Sequence, residues 1–330
     1  MYVASQEVYD DDTLRFLKQM GVDHVDTLPS RGMGLEEDGY WHADALMRAR
    51  EHVESLGLTL DAVHFPLTSA GIERQIWPNI MLGTPERDRD IEKACKSIEA
   101  AAKAGIPLLL YNLAILPVVR GQRAPGRGGV TYSHFVYEEM KDDPPLPYAP
   151  VTADMAWERI EYFVERVIPV ADEFGVKMGC HQHDPGMPAG VGYRGIERVL
   201  GSIEGVKRFI ALSDSPYHGL NFCQGTISEM CTAPEQVYDA IRYFGSRKRI
   251  FWVHFRNIRG GFLDFDEVFP DEGDIDMIKA LRTYKEVGYD GAIIPDHVPQ
   301  SDLDTRHGHR ARAFCFGYIK AAIQAVESET

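Results

Sequence analysis

The sequence is short of cysteine, of positive charge and of long apolar runs, and each shortage removes a class of function. Its five cysteines (Cys95, Cys180, Cys223, Cys231 and Cys315) are odd in number and not closely paired, which argues for reduced thiols and against a disulfide framework. Lysine and arginine total 35 against 50 aspartates and glutamates, a formal charge of −15 over 330 residues. That is the wrong sign for a surface that must neutralise phosphates, so nucleic acid and anionic membranes are poor partners. No stretch approaches the roughly 20 apolar residues that span a bilayer. The opening MYVASQEVYDDD has no basic segment with an apolar one behind it, and the reading is a cytoplasmic protein. Also missing is a glycine-rich phosphate-binding phrase after the first strand, which weakens a doubly wound nucleotide-binding sheet.

What is present is a rhythm. Short apolar or β-branched runs at 2–5, 24–27, 60–64, 107–111, 177–181, 208–213, 250–255 and 291–295 read as strands. Amphipathic stretches at 12–20, 43–56, 85–104, 153–174, 195–200, 234–244, 275–287 and 310–326 read as helices. Phrases such as SLGLTLDAV, KAGIPLLLY, EFGVKMGC and EVGYDGAII run helix, glycine, strand, with Gly57, Gly105, Gly175 and Gly288 as stops and Thr84-Pro85 as a helix start. Eight βα units at about 41 residues each predict a single (β/α)8 barrel, a TIM barrel, over 1–330. The segment 113–150, with GQRAPGRGG and KDDPPLPYAP, is too rich in glycine and proline to form an element and reads as an enlarged loop or lid after strand four.

In such a barrel the chemistry sits at the C-terminal ends of the strands. Those ends are polar: His64, Tyr111-Asn112, His181 with His183 and Asp184 just beyond, His254 with Arg256-Asn257, and Asp296-His297, with Cys223 in the loop after the sixth strand. His181, Cys223, His254 and Asp296 are 42, 31 and 42 residues apart, each near one βα repeat. Consecutive units would therefore aim four ligand-type side chains into one mouth. Imidazole, thiolate and carboxylate suit Mn²⁺, Fe²⁺, Co²⁺ or Zn²⁺, in preference to Mg²⁺ or Ca²⁺. Taken singly, each is equally a structural strand-end residue. Cys180 should point to the helices, and Cys95 and Cys315 into helix cores.

Five phrases in order then carry a family resemblance: TPERDRDIE leading into KAGIPLLLYN, MGCHQHDP, GLNFCQGT, HFRN and PDH. With SLGLTLDAV before them, the chain resembles the mannonate dehydratase family of sugar-acid catabolism, whose fold is a xylose-isomerase-like TIM barrel. The resemblance implies a hydro-lyase that takes D-mannonate to 2-keto-3-deoxy-D-gluconate and water in hexuronate catabolism, with Mn²⁺ or Fe²⁺. It places the metal on His181, Cys223, His254 and Asp296 and substrate contacts on Asn112, Arg256 and Asn257, with Arg256 on the carboxylate. His183 and Asp184 join that set, and His297 is the first acid–base candidate.

The sequence departs from the family pattern in four places. His183 stands where the first of two acidic residues is usual, and His307 stands where a lid tyrosine is expected. The link from PDH to the last helix is shorter, and the loop after strand four reads LPVVRGQRAPGRGGVTYSHF in place of the family's tryptophan-containing phrase. His307 is therefore a second catalytic candidate. Arg120, Arg123 and Arg127 read as a solvated loop slightly ahead of a carboxylate clamp. A metal-dependent sugar isomerase or epimerase on the same barrel, and a sugar-acid-binding homologue without turnover, are the alternatives. Barrels of this kind often pair through their helices, so a homo-oligomer is expected.

Overall fold

The structure, a computed structural model, describes residues 1–7, 10–27 and 33–329. Its strands in chain order are β1 (Tyr2–Glu7), β2 (His24–Thr27), β3 (Thr59–His64), β4 (Leu108–Asn112), β5 (Ala124–Pro125), β6 (Thr131–Val136), β7 (Lys177–His181), β8 (His218–Cys223), β9 (Ile250–His254), β10 (Asn257–Gly261), β11 (Asp264–Val268) and β12 (Ala292–Ile294). Eight of these close a barrel in the order β1-β12-β9-β8-β7-β4-β3-β2, every neighbouring pair parallel. The (β/α)8 barrel predicted from the rhythm is the observed fold. No helix among the described residues is long and apolar enough to cross a membrane.

Local signals explain most elements. The helix Ala153–Phe174 starts where Thr152 accepts from the Met155 amide and stops at Gly175, whose φ of 70° a side chain would disfavour. Asp10 caps the helix Asp11–Gln19 by accepting from the Thr13 amide. Three readings need correction. The sixth strand is β8, not 208–213: Ser202 caps a helix, Ile203–Ile210, that buries Val206, Phe209 and Ile210 at helical spacing. The run VKRFIAL was long enough to satisfy either period, while HGLNFC is poor in strand formers yet wholly buried. The stretch 195–200 is not a helix but a turn with bridges from Ile196 to Val151 and Tyr193. Thr84 does not cap: the helix begins at Arg87, and the Thr84 hydroxyl donates to Asn79 and Glu86.

The enlarged loop is more ordered than its composition suggested. It contributes β5 and β6, which join the hairpin β10–β11 from the loop after β9 in a four-stranded sheet ordered β10-β11-β6-β5. Tyr132 and Phe135 are both buried, three residues apart and so on opposite faces of β6: Tyr132 packs in a small cluster with Val268 and Phe269, and Phe135 joins the main core, where it meets Phe265 of the hairpin at 5.5 Å between ring centres. Inside the barrel, Ala4, Ala62 and Ala292 make room for Trp252, with Leu108, Leu110 and Ile294 around them.

Candidate active site

The parallel register brings the ends of β7, β8 and β9 side by side, with Cys223 paired to His254 and His254 to Ile294 of β12. Donor atoms of His181, Cys223 and His254 lie within 4.8 Å of one another. Asp296, just past β12, completes the group: its carboxylate is 3.4 Å from His254 Nδ1 and 3.7 Å from the Cys223 sulfur. Asp296 holds the left-handed φ of 55°, an uncommon conformation for a residue with a side chain.

The surroundings prepare these four for a cation. His181 Nδ1 donates to the Gln182 carbonyl at 2.7 Å, which leaves the Nε2 lone pair for another partner. Both ring nitrogens of His254 are buried without a hydrogen bond, a cost that a bound ion would remove. Burial pushes the Cys223 thiol up, but the Arg256 guanidinium and, after it, the adjacent imidazoles of His181 and His254 outweigh it and hold the thiol well below its ordinary range. The Thr226 amide, at the start of the helix Gln224–Glu229, also points at the sulfur, 3.3 Å away. The four donors match a borderline transition metal and lack the all-oxygen shell that Mg²⁺ or Ca²⁺ prefers.

Behind the cluster lies a buried ionic network. Arg256 pairs with Asp184 at 3.1 Å, Glu229 at 2.9 Å, Asp296 at 3.3 Å and Glu267. Arg120, from the loop after β4, pairs with Asp184 at 2.6 Å, Glu267 at 2.5 Å and Glu229 at 3.3 Å. Two guanidiniums are thus enclosed by three carboxylates besides Asp296. Burial would raise Asp184, yet Arg120 and Arg256 hold it well below the usual carboxylate range. Glu229 goes the other way, raised by burial and by Asp184.

Several expected contacts change accordingly. Arg256 does not line the mouth: its side chain is fully buried and saturated by acids, so it cannot also clamp a substrate carboxylate. Asn257 is equally occupied, donating to the Pro270 and Ile275 carbonyls and accepting from the Ile258 and Ile275 amides. His183 bridges the Leu113 carbonyl and the Leu200 amide, and burial pushes its imidazole down to about 3. Arg120 is largely shielded and held by three acids, and so is not part of a solvated loop.

The mouth itself is a cavity of about 650 Å³ lined by His181, His254, Asp296, Asp184, His297 and Asn112, with His64, Arg74 and Arg312 among the remaining walls. His297 Nδ1 donates to the Glu267 carboxylate, 3.0 Å from each of its oxygens. His307 lines a neighbouring cavity of about 610 Å³ that shares Asp296, His297 and Arg312 with the first.

The profile of the D-mannonate dehydratase (UxuA) family matches residues 137–330. The chain belongs to the D-mannonate dehydratase family. It is 29% identical over 295 residues to the mannonate dehydratase of Thermotoga maritima, covering 78% of each chain. Against mannonate dehydratase 2 of Halalkalibacterium halodurans it is 29% identical over 291 residues, covering 78% of this chain and 79% of the relative. The crystal structure of mannonate dehydratase from Streptococcus suis serotype 2 superposes with a TM-score of 0.82 at 26% identity, over 98% of this chain and 93% of that one. A D-tagatose 3-epimerase-like protein shares the fold alone, with a TM-score of 0.62 at 16% identity.

His181, Cys223 and His254 form a candidate metal site in a chain of this hydro-lyase family, and the dehydratase reading stands ahead of the isomerase and non-catalytic ones. Residues that the motifs did not single out are those joined only in space. Glu229 and Glu267 lie 109 and 147 positions from Arg120, and no spacing rule links them. Arg74 and Arg312 reach the mouth from the loop after β3 and from the last helix, His309–Ser328.

Proposed function

We propose that this protein dehydrates a sugar acid of the D-mannonate type, giving a 2-keto-3-deoxy acid and water. The observation that carries the reading is the convergence of donor atoms of His181, Cys223 and His254, with Asp296 beside them, at the mouth cavity that His181, His254 and Asp296 line, in a chain of this family. These four residues would hold Mn²⁺ or Fe²⁺, and Co²⁺ or Zn²⁺ suit the same donors. The ion supplies Lewis-acid neutralisation of the charge that builds on the substrate carboxylate as the C2 proton leaves.

The chain's own groups do the rest. Arg74 and Arg312 line the cavity and can meet the substrate carboxylate from its walls. Asn112 and Asp184 offer hydrogen bonds to hydroxyl groups from the ends of β4 and β7. His297, steadied at Nδ1 by Glu267, lines the cavity and is the group assigned to protonate the departing C3 hydroxyl. His307, one cavity away, is the candidate lid group for a longer or closing substrate.

The test is to load the purified protein with Mn²⁺ or Fe²⁺ and offer D-mannonate with a panel of related hexonates and pentonates, reading 2-keto-3-deoxy acids. Turnover that vanishes on chelation and in His181→Ala is expected. Metal-loaded protein that converts no acid would overturn the proposal.

A further inference from the structure

Removing water across C2–C3 requires one group to accept the C2 proton and another to protonate the leaving hydroxyl. The described residues lining the mouth cavity offer few proton carriers for neutral pH. His181, His254 and Asp296 belong to the donor cluster, and Asp184 is paired with two guanidiniums. A guanidinium offers hydrogen-bond donors and no acceptor, which sets Arg74 and Arg312 aside. Two histidines are left, His297 and His64.

His64 ends β3, and its inward position follows from the pleat: Ala62, two residues earlier, lies in the barrel's interior core. Its Nε2 is 3.2 Å from Asp26 Oδ1, on the adjacent strand β2. Asp26 is completely buried, and its other oxygen has no hydrogen-bond partner among the described residues. A carboxylate so placed has one role open to it among the described residues, which is to accept from His64. That fixes the proton on Nε2 and leaves the Nδ1 lone pair, which meets no hydrogen-bond partner among the described residues, on a residue that forms a wall of the cavity. A buried carboxylate, an imidazole and an open reacting site form the arrangement that elsewhere activates a general base.

Resting on the dehydratase reading, we infer that His64, oriented by Asp26, is the base that takes the C2 proton, opposite His297. The C2–H bond breaks and its proton passes to His64 Nδ1. The electron pair forms the C2–C3 double bond as the C3–O bond breaks. The oxygen leaves as water with a proton from His297, and the resulting enol ketonises. Asp26 acts as a positioning residue, since it meets the substrate only through His64.

Steady-state kinetics of metal-loaded wild type, His64→Gln, His64→Ala and Asp26→Asn test this with D-mannonate, alongside the metal content of each. In His64→Gln kcat should fall by about 10²-fold or more, the range typical of a lost general base, with KM and bound metal little changed. Added imidazole should restore turnover to His64→Ala in a concentration-dependent way, which a purely structural role would not allow. Asp26→Asn, which changes few atoms, should lower kcat by about tenfold or more without moving KM, by releasing the ring tautomer. Undiminished kcat in His64→Gln overturns the dyad while leaving the dehydratase reading intact. Equal losses in metal and kcat without imidazole rescue overturn it too. A wild type inert toward every sugar acid overturns both readings.

Discussion

The barrel interior and the barrel mouth are built from the same strands, on the same face, one pleat apart. Ala62 precedes His64 by two residues, Leu110 precedes Asn112, Trp252 precedes His254 and Ile294 precedes Asp296. The first member of each pair packs in the apolar interior; the second lines the cavity. Two residues of strand separate a region selected for filling space from one selected for chemistry. The interior has small and large side chains matched to each other, whereas the mouth is packed with buried acids, guanidiniums and imidazoles that must satisfy one another.

The sharpest way to break this division is to lose function with little loss of fold. His181→Ala should remove bound metal and lower turnover by at least roughly 10³-fold, because Lewis-acid stabilisation is worth several kcal/mol. The thermal midpoint of the metal-free protein should hardly move. A large drop in that midpoint would show that the cluster is part of the load the fold carries.

The converse change lies one step down the next strand but one. Trp252→Ala should destabilise the protein by about 3–5 kcal/mol, the usual cost of emptying an aromatic site in a packed core. Metal bound per folded molecule should stay near that of the unaltered protein, as measured by denaturant titration followed by metal analysis of the folded fraction. A loss of metal affinity as large as the loss of stability would erase the distinction between the two layers.

How far this plan was legible in the sequence follows from the same geometry. Strand ends could be found because helix, glycine and strand recur at a fixed repeat, so His181, Cys223, His254 and Asp296 fell into phase. The sixth strand could not, because His218–Cys223 takes its stability from burial on both faces rather than from β-branched residues. Arg256 was placed on the correct wall of the barrel but on the wrong side of it. Its direction depends on Glu229 and Glu267, which only the folded chain brings beside it.

Histidines give a third contrast, in pH. His218, at the start of β8, is buried against Phe209 with Nε2 2.9 Å from that residue's carbonyl. Burial pushes its imidazole down to about 4; the bond to Phe209 opposes the shift and Arg249 adds to it. Between the unfolded value near 6.5 and the folded one, only the unfolded chain takes up the proton. This contribution to stability is therefore complete above about pH 6.5 and is lost as the pH falls toward 4, at about 1.4 kcal/mol per unit where steepest. Denaturant midpoints across that window should fall less steeply in His218→Gln. An unchanged slope would refute the assignment of that proton to His218.

The smallest expected effect compares two arginines of one loop. Arg120 is buried among Asp184, Glu229 and Glu267, while Arg127 lies partly exposed against Asp271 at 2.6 Å and stacks over Phe269. A solvated ion pair contributes about 0–1 kcal/mol, so Arg127→Met should shift stability by no more than that and leave turnover unchanged. Removing Arg120 instead leaves three buried acids with one fewer counter-charge, a change of several kcal/mol. Paired denaturation curves for Arg127→Met and Arg120→Met should therefore separate widely. Coincident curves would mean that the network at the mouth is far more open to water than its burial indicates, and that the lid holds its place through the strands β5 and β6 alone.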